Sequence, residues 1–285
     1  MSAKCWNLVI DVPLCENCNN CVLASKDELV GNTFPGYTAP HSPHGPGVVR
    51  IRRKVRGQAP MVDAAYIPVL CNHCDDAPCI RAAGSDVIHK RDDGIVIIDP
   101  IHAKGRRDLV DACPYGAIVW NEAEQLPQNW FFDAHLLDSG WPEPRIASVC
   151  PTRAIEAVKV SDNEMADRVT REGLRTLNPE WNTRARVYYR HLERFDSCFI
   201  GGGVSTAIDG KIECVSEARA ELRGSDGVAF SAVTDAFGDF RFDGLTPDSG
   251  PYDLVVAHEL YGRARRTVSL EAESIYLGEI RLGAA

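Results

Sequence analysis

The stretch CENCNNCVLAS, Cys15 to Ser25, spaces three cysteines as C-x2-C-x2-C. That run wraps a [4Fe–4S] cube, and its bacterial ferredoxin form continues with x3-Cys-Pro. Here the fourth place is Ser25, followed by Lys26. A cube wants four thiolates, so the last must come from elsewhere in the chain. A cousin of the run starts at Cys71, CNHCDDAPC, spaced C-x2-C-x4-C through Cys74 and Cys79. Two Cys-Pro sites lie further on, CPYGAI at Cys113 and CPTRAI at Cys150. In two-cluster ferredoxins the cysteine of Cys-Pro ligates the cluster that its own local run does not hold. Each three-cysteine loop is therefore expected to borrow a distant Cys-Pro cysteine, and the spacing alone leaves open which borrows which.

Two triplets and two further cysteines also suit a pair of all-thiolate zinc sites. The C-x2-C-x4-C spacing, both Cys-Pro turns and the Ala-Ile after each favour iron–sulfur. His73, between two of the cysteines, reads as a partly exposed spacer. Cys5, Cys198 and Cys214 stand apart from the clusters and read as small buried hydrophobes.

The rest of the chain bounds the class. Its 285 residues suggest two domains. A net charge of −9 argues against nucleic acid as a partner. No apolar run is long enough to span a bilayer. The start, MSAKCWNLVID, lacks a charged-then-apolar leader and reads as a strand, so a cytoplasmic location without membrane attachment is expected. A reducing cytoplasm favours metal ligation over disulfides for eleven cysteines.

Residues 1–195 hold every clustered cysteine. Within them, Phe34 to Pro60 is rich in Gly, Pro, His and Arg and reads as a long excursion without helix or strand. VIHKRDDGIVII, 87–98, reads as a hairpin turning at Asp93-Gly94. Residues 163–177 read as an amphipathic helix capped by Asp162 or Asn163. Gly201-Gly202-Gly203 lacks a G-x-G-x-x-G spacing and reads as an interdomain link. Residues 196–285 alternate apolar and polar positions between glycines, the pattern of a small β-sandwich. The fold class is thus α+β: a duplicated bacterial-ferredoxin-like iron–sulfur domain followed by a small all-β, immunoglobulin- or transthyretin-like sandwich.

The order loop, loop, Cys-Pro, Cys-Pro resembles the iron–sulfur subunits of dimethyl sulfoxide reductase family enzymes. More closely, DVPLCENCNNC, FPGYTA, DDGIVIIDP, DACPYGAIVWNEAE, AHLLDSGW, TRARVYYR and the following β-domain are similar to the small subunits of the pyrogallol–phloroglucinol transhydroxylase and molybdenum phenol hydroxylase family. The resemblance implies a nested pairing: Cys15, Cys18, Cys21 and Cys150 on one [4Fe–4S] cube, and Cys71, Cys74, Cys79 and Cys113 on the other. It implies that two further family cubes are lost here, with Ser25, Ala83, Trp130 and Asp133 at ligand places and Trp130 and Phe131 filling the space. It also implies a large partner subunit carrying molybdenum with two pterin–guanine dinucleotides, in a heterodimer acting on phenolic aromatics. This chain would then be a non-catalytic electron-transfer subunit. The Cys15 cube would be redox-active beside the partner, and the Cys71 cube distant and mainly structural. The alternatives are service to another enzyme of the family, such as a reductive catechol dehydroxylase, or clusters that are structural throughout.

Overall fold

The computed structural model describes residues 3–225 and 227–283. Its contacts divide the chain into two units. The first comprises Met1–Arg53 and Tyr66–Leu192, the second Lys54–Ala65 and Glu193–Ala285.

In chain order the first unit and its hairpin run β1 (Lys4–Asp11), α1 (Asn20–Leu29), β2 (Arg50–Gln58), β3 (Met61–Val69), α2 (Pro78–Ala83), β4 (Ile88–Lys90), β5 (Val96–Ile98), β6 (Ile118–Asn121), β7 (Leu126–Asn129), α3 (Ala134–Asp138), α4 (Arg145–Ser148), β8 (Ile155–Ser161), α5 (Asp162–Glu172) and β9 (Val187–Arg190). Strand β1 is the middle of a three-stranded sheet, antiparallel to β8 and parallel to β9. Being central, it is buried without interruption at Leu8, Val9 and Ile10. Two short hairpins, β4–β5 and β6–β7, supply a second core around Ile88, Val96, Leu109, Ile118 and Leu126. The β4–β5 turn places Gly94 at φ 87°, which a glycine adopts without strain.

Helix α5 starts one residue earlier than the sequence suggests. Ser161 accepts from the Glu164 amide while the Glu164 carboxylate accepts from the Ser161 amide, a full capping box. The helix ends at Glu172, not at 177, because Gly173 turns left-handed at φ 62°.

The excursion expected through Pro60 is partly wrong. Residues from Arg50 onward form β2, which pairs with β3. The tip of that hairpin, 54–65, is counted with the second unit. There Arg56, wholly buried, donates to Asp63 at 2.5 Å and to Asp243 at 2.8 Å, and Arg194 donates to Asp63 at 2.8 Å. Burial pushes the Asp63 carboxyl up, but Arg194 and Arg56 prevail and hold it at about 2. A charged, arginine-rich strand carries no apolar alternation for sequence reasoning to find; its one buried residue, Arg56, is received by ion pairs.

The second unit continues with α6 (Glu193–Asp196), β10 (Cys198–Ile208), β11 (Lys211–Cys214), β12 (Arg219–Gly224), β13 (Ala229–Val233), β14 (Asp239–Leu245), β15 (Tyr252–His258), β16 (Gly262–Val268) and β17 (Ile275–Leu282). One four-stranded sheet is built around β10, between β14 and its partners β11 and β17; the other runs β13-β12-β15-β16. Ile200, Val204, Phe240 and Phe242 from the first sheet share one core with Ala220, Leu222, Leu254 and Val256 from the second. Gly201 and Gly202 do not link domains. They lie buried inside β10, where a Cβ on Gly201 would sit 2.3 Å from the Met61 sulfur. The glycines are there for close approach.

Candidate metal centres

The duplication seen in the cysteine spacing is repeated in the backbone. Two residues after the first cysteine of each loop, Asn17 (φ 56°) and His73 (φ 46°) are left-handed. Three residues after each Cys-Pro cysteine, Gly116 (φ 60°) and Arg153 (φ 56°) are left-handed as well. Their amides return to Cys113 O at 2.9 Å and Cys150 O at 3.2 Å. Each Cys-Pro is thus a tight turn that presents its sulfur from a fixed corner. Asn at left-handed positions is chemically apt, because its short amide tolerates that region.

The first loop follows a short 3-10 turn, Val12–Leu14, and its third cysteine sits in the first turn of α1. The Cys150 turn is tied to it. Thr152 Oγ1 donates to Leu14 O at 2.6 Å, and Asn20 Nδ2 donates to Val149 O at 3.4 Å. Cys15, Cys18, Cys21 and Cys150 consequently face one another closely enough that their charges would repel. Cys18 is exposed, Cys15 and Cys150 are half-buried, and only Cys21 is buried. Burial first, then the neighbouring thiols, pushes Cys21 up to about 12.

The second loop is deeper. Cys71, Cys74, Cys79 and Cys113 line one cavity together with Val96, Ile98, Tyr115, Ile118 and Asn129. Burial pushes Cys74 and Cys79 up to about 11, and Cys71 higher. Asn129 beside Cys71 and Thr183 beside Cys74 work against that push, and the Ala117 amide donates to Cys113 Sγ at 3.4 Å. A strap at 183–186 lies along the loop through three backbone bonds: Arg186 N to Asn72 O, Asp75 N to Arg184 O and Asp76 N to Thr183 O. Lys90 Nζ donates to His73 O at 2.6 Å and Cys74 O at 3.0 Å, and Asp75 pairs with both Lys90 and Arg186.

The chemistry of the two donor sets fits a cationic, multi-iron core. The thiols that burial raises, Cys15 and Cys21 in one set and Cys71, Cys74 and Cys79 in the other, stay protonated by themselves, and metal charge is what lets such neighbours ionise together. Among the described residues no three Cys, His, Asp or Glu side chains converge as a single-ion site requires. The four thiols of the second quartet share one cavity.

The structure corrects the expectations for His73, Cys5 and Cys214. His73 is not a partly exposed spacer: it is 1 % exposed, with Nδ1 accepting from the Val96 amide at 3.0 Å. Cys5 is half-buried and Cys214 exposed, while Cys198 is buried as expected. Trp130 and Phe131 are fully buried, and Trp130 Nε1 donates to the buried Asp133 at 3.0 Å. Ser25 is buried with no partner for its hydroxyl, apart from both quartets' donor sets, and Ala83 packs at the edge of the β4–β7 core. Thr183, Tyr115 and Asn129 were not foreseen as neighbours of the sulfurs. Only a general rule, that buried sulfurs recruit hydrogen-bond donors, pointed toward such residues.

Comparison with known proteins follows the same lines. Residues 62–160 match the family described as a 4Fe-4S dicluster domain. The chain is 39 % identical over 281 residues to the pyrogallol hydroxytransferase small subunit of Pelobacter acidigallici, covering 97 % of this chain and 99 % of that one. It is 34 % identical to the arsenate respiratory reductase iron–sulfur subunit of a Shewanella strain, over 48 % of this chain and 53 % of the other. It is 32 % identical to the dimethylsulfide dehydrogenase β subunit of Rhodovulum sulfidophilum, over 47 % and 42 %.

Proposed function

We infer the role of this chain from its kinship: it belongs to the family of the pyrogallol hydroxytransferase small subunit, an iron–sulfur electron-transfer subunit related to those of dimethyl sulfoxide reductase family enzymes. Its relatives are small subunits, which implies a large catalytic partner. We propose that the partner carries molybdenum bis-pterin guanine dinucleotide, forms a heterodimer with this chain, and acts on a phenolic aromatic. No catalytic site is proposed on this chain itself.

The observation that carries the reading is the pair of four-thiol sets. We propose that Cys15, Cys18, Cys21 and Cys150 hold one [4Fe–4S] cluster, and that Cys71, Cys74, Cys79 and Cys113 hold the second. The mutual repulsion among the sulfurs of each set, and the cavity lined by the second, support this nested pairing. The clusters, when bound, supply one-electron storage and transfer. The chain's own part is to fix each sulfur at a turn, to shield Cys71 and Cys74 from water, and to place the Ala117 amide on Cys113 Sγ. The C-terminal unit is proposed as an immunoglobulin- or transthyretin-like sandwich that stabilises or docks the complex.

No helix among the described residues is long and apolar enough to cross a membrane. The proposed location is the cytoplasm. The test is to co-express the chain with its proposed large subunit, purify the complex without oxygen, and count metals. The reading expects one molybdenum and about eight irons and eight sulfides per heterodimer. Iron without molybdenum in an intact complex contradicts the proposed partner, and zinc in place of iron contradicts the clusters.

A further inference from the structure

The peptide that joins Gly116 to Ala117 is bonded on both sides. Its N–H, from Ala117, donates to Cys113 Sγ at 3.4 Å. Its C=O, from Gly116, accepts from the Arg50 guanidinium. The bond is trans, so these two groups point in opposite directions and one planar unit stands between a permanent positive charge and the sulfur. A charge-assisted bond on the carbonyl polarises the amide and strengthens its N–H as a donor. Arg50 opens β2, and Val48 and Val49 just before it are buried, so its backbone is anchored while its side chain is exposed. A Cβ on Gly116 would lie 3.7 Å from Arg50 Nη2, which sets the guanidinium against the Cys113 turn.

The first repeat is built differently at this place. Arg153 stands where the second repeat has Gly116, and its guanidinium donates to Glu143 at 3.3 Å. One turn carries its own arginine and turns it to a carboxylate. The other is glycine and receives an arginine from 66 positions earlier in the chain.

A hydrogen bond to a ligand sulfur stabilises the more negative, reduced form of a cluster and raises its potential. We propose that Arg50 is a positioning residue that raises the reduction potential of the second cluster by polarising the Gly116–Ala117 peptide toward Cys113 Sγ. The proposal rests on the assignment of Cys113 to that cluster. Water screens a charge that acts across space from an exposed side chain, so the bonded peptide is the stronger route.

The test is a redox titration of the complex followed by electron paramagnetic resonance, with iron and sulfide counted for each variant. Arg50→Met, which keeps an apolar stem, is expected to move the second cluster's midpoint to lower potential and leave the first unchanged. The exchangeable-proton coupling at the second cluster, compared in light and heavy water, should weaken with it. Arg50→Lys, which keeps a cationic donor, should shift the midpoint less than Arg50→Met. An unchanged midpoint with full iron content overturns the proposal, as does an equal shift of both clusters. A shifted midpoint with an unchanged proton coupling overturns it too, because the charge then acts without the peptide. Where Arg50→Met loses iron, Arg50→Gln decides by the same criteria. Should the shifted signal be the one that Cys150→Ala removes, the cluster assignment itself has failed.

Discussion

The two cysteine quartets share a motif order, a Cys-Pro turn and the same left-handed residues, yet they sit in unlike surroundings. Cys18 of the first is exposed, and Thr152 and Asn20 tie the loop to the Cys150 turn. Cys71 and Cys74 of the second are buried beneath a strap and gripped by Lys90, Asp75 and Arg186. A repeat in sequence fixes how a sulfur is presented. What covers that sulfur is decided by residues outside the repeat, and solvent access and hydrogen bonding tune a cluster alongside its ligands.

The sharpest way to break the comparison is to remove one Cys-Pro sulfur at a time. Cys113→Ala and Cys150→Ala should each cost about four of eight irons, from different clusters. Loss of all iron from either variant, seen by colorimetric iron assay, would mean the quartets are not independent. The next effect concerns the grip. Arg186 is 7 % exposed on its side chain and pairs with Asp75 at 2.6 Å. Arg186→Ala leaves Asp75 with Lys90 as an ion-pair partner and should destabilise the first unit by about 2–3 kcal/mol, less than the roughly 3–5 kcal/mol for a buried charge left wholly unpaired. Urea unfolding should register it, and iron should leave the second quartet sooner. With wild-type protein, a water-soluble chelator should strip the exposed first quartet before the second.

A smaller effect is set by pH. Burial pushes Asp133 up to about 6, against the Trp130 hydrogen bond, the His135 charge and the Arg145 amide, while Glu28 adds to the push. A carboxyl with a folded pKa above its unfolded value of about 4 binds its proton more tightly when folded. Its contribution is fully present below about 4 and is lost as pH rises through about 6. Thermal stability should therefore decline across that window, and Asp133→Asn should flatten the decline. The smallest effect is expected at Ser25. Its hydroxyl is buried without a partner, so Ser25→Ala should change stability by under about 1 kcal/mol, in the stabilising direction, and leave iron content alone.

Much of this was legible in the sequence, for physical reasons. Cysteine spacing, Cys-Pro turns and the Asp93-Gly94 hairpin are local signals, since each needs particular residues at fixed offsets. The Ser161–Glu164 cap could have been read in the same way. Other features rest on distant partners. Arg50–Gln58 looks like a polar excursion because its neutralising carboxylates include Asp243, far along the chain. Gly201 looks like a linker until Met61 is found against it. His73 looks exposed because polar residues usually are, but the Val96 amide and the Trp130 and Phe132 rings receive it. Thr183 lies over a hundred residues from Cys74, so no window of sequence could connect them.

The nested pairing of the cysteines carries the whole comparison, and paired replacements test it most directly. In Cys15→Ala/Cys150→Ala both changes fall on one proposed cluster, whereas in Cys15→Ala/Cys113→Ala they fall on two. Iron and sulfide per chain, measured on anaerobically purified complex, should read about four of each in the first variant and near zero in the second. The reverse result, near zero in the first and about four in the second, would contradict the account.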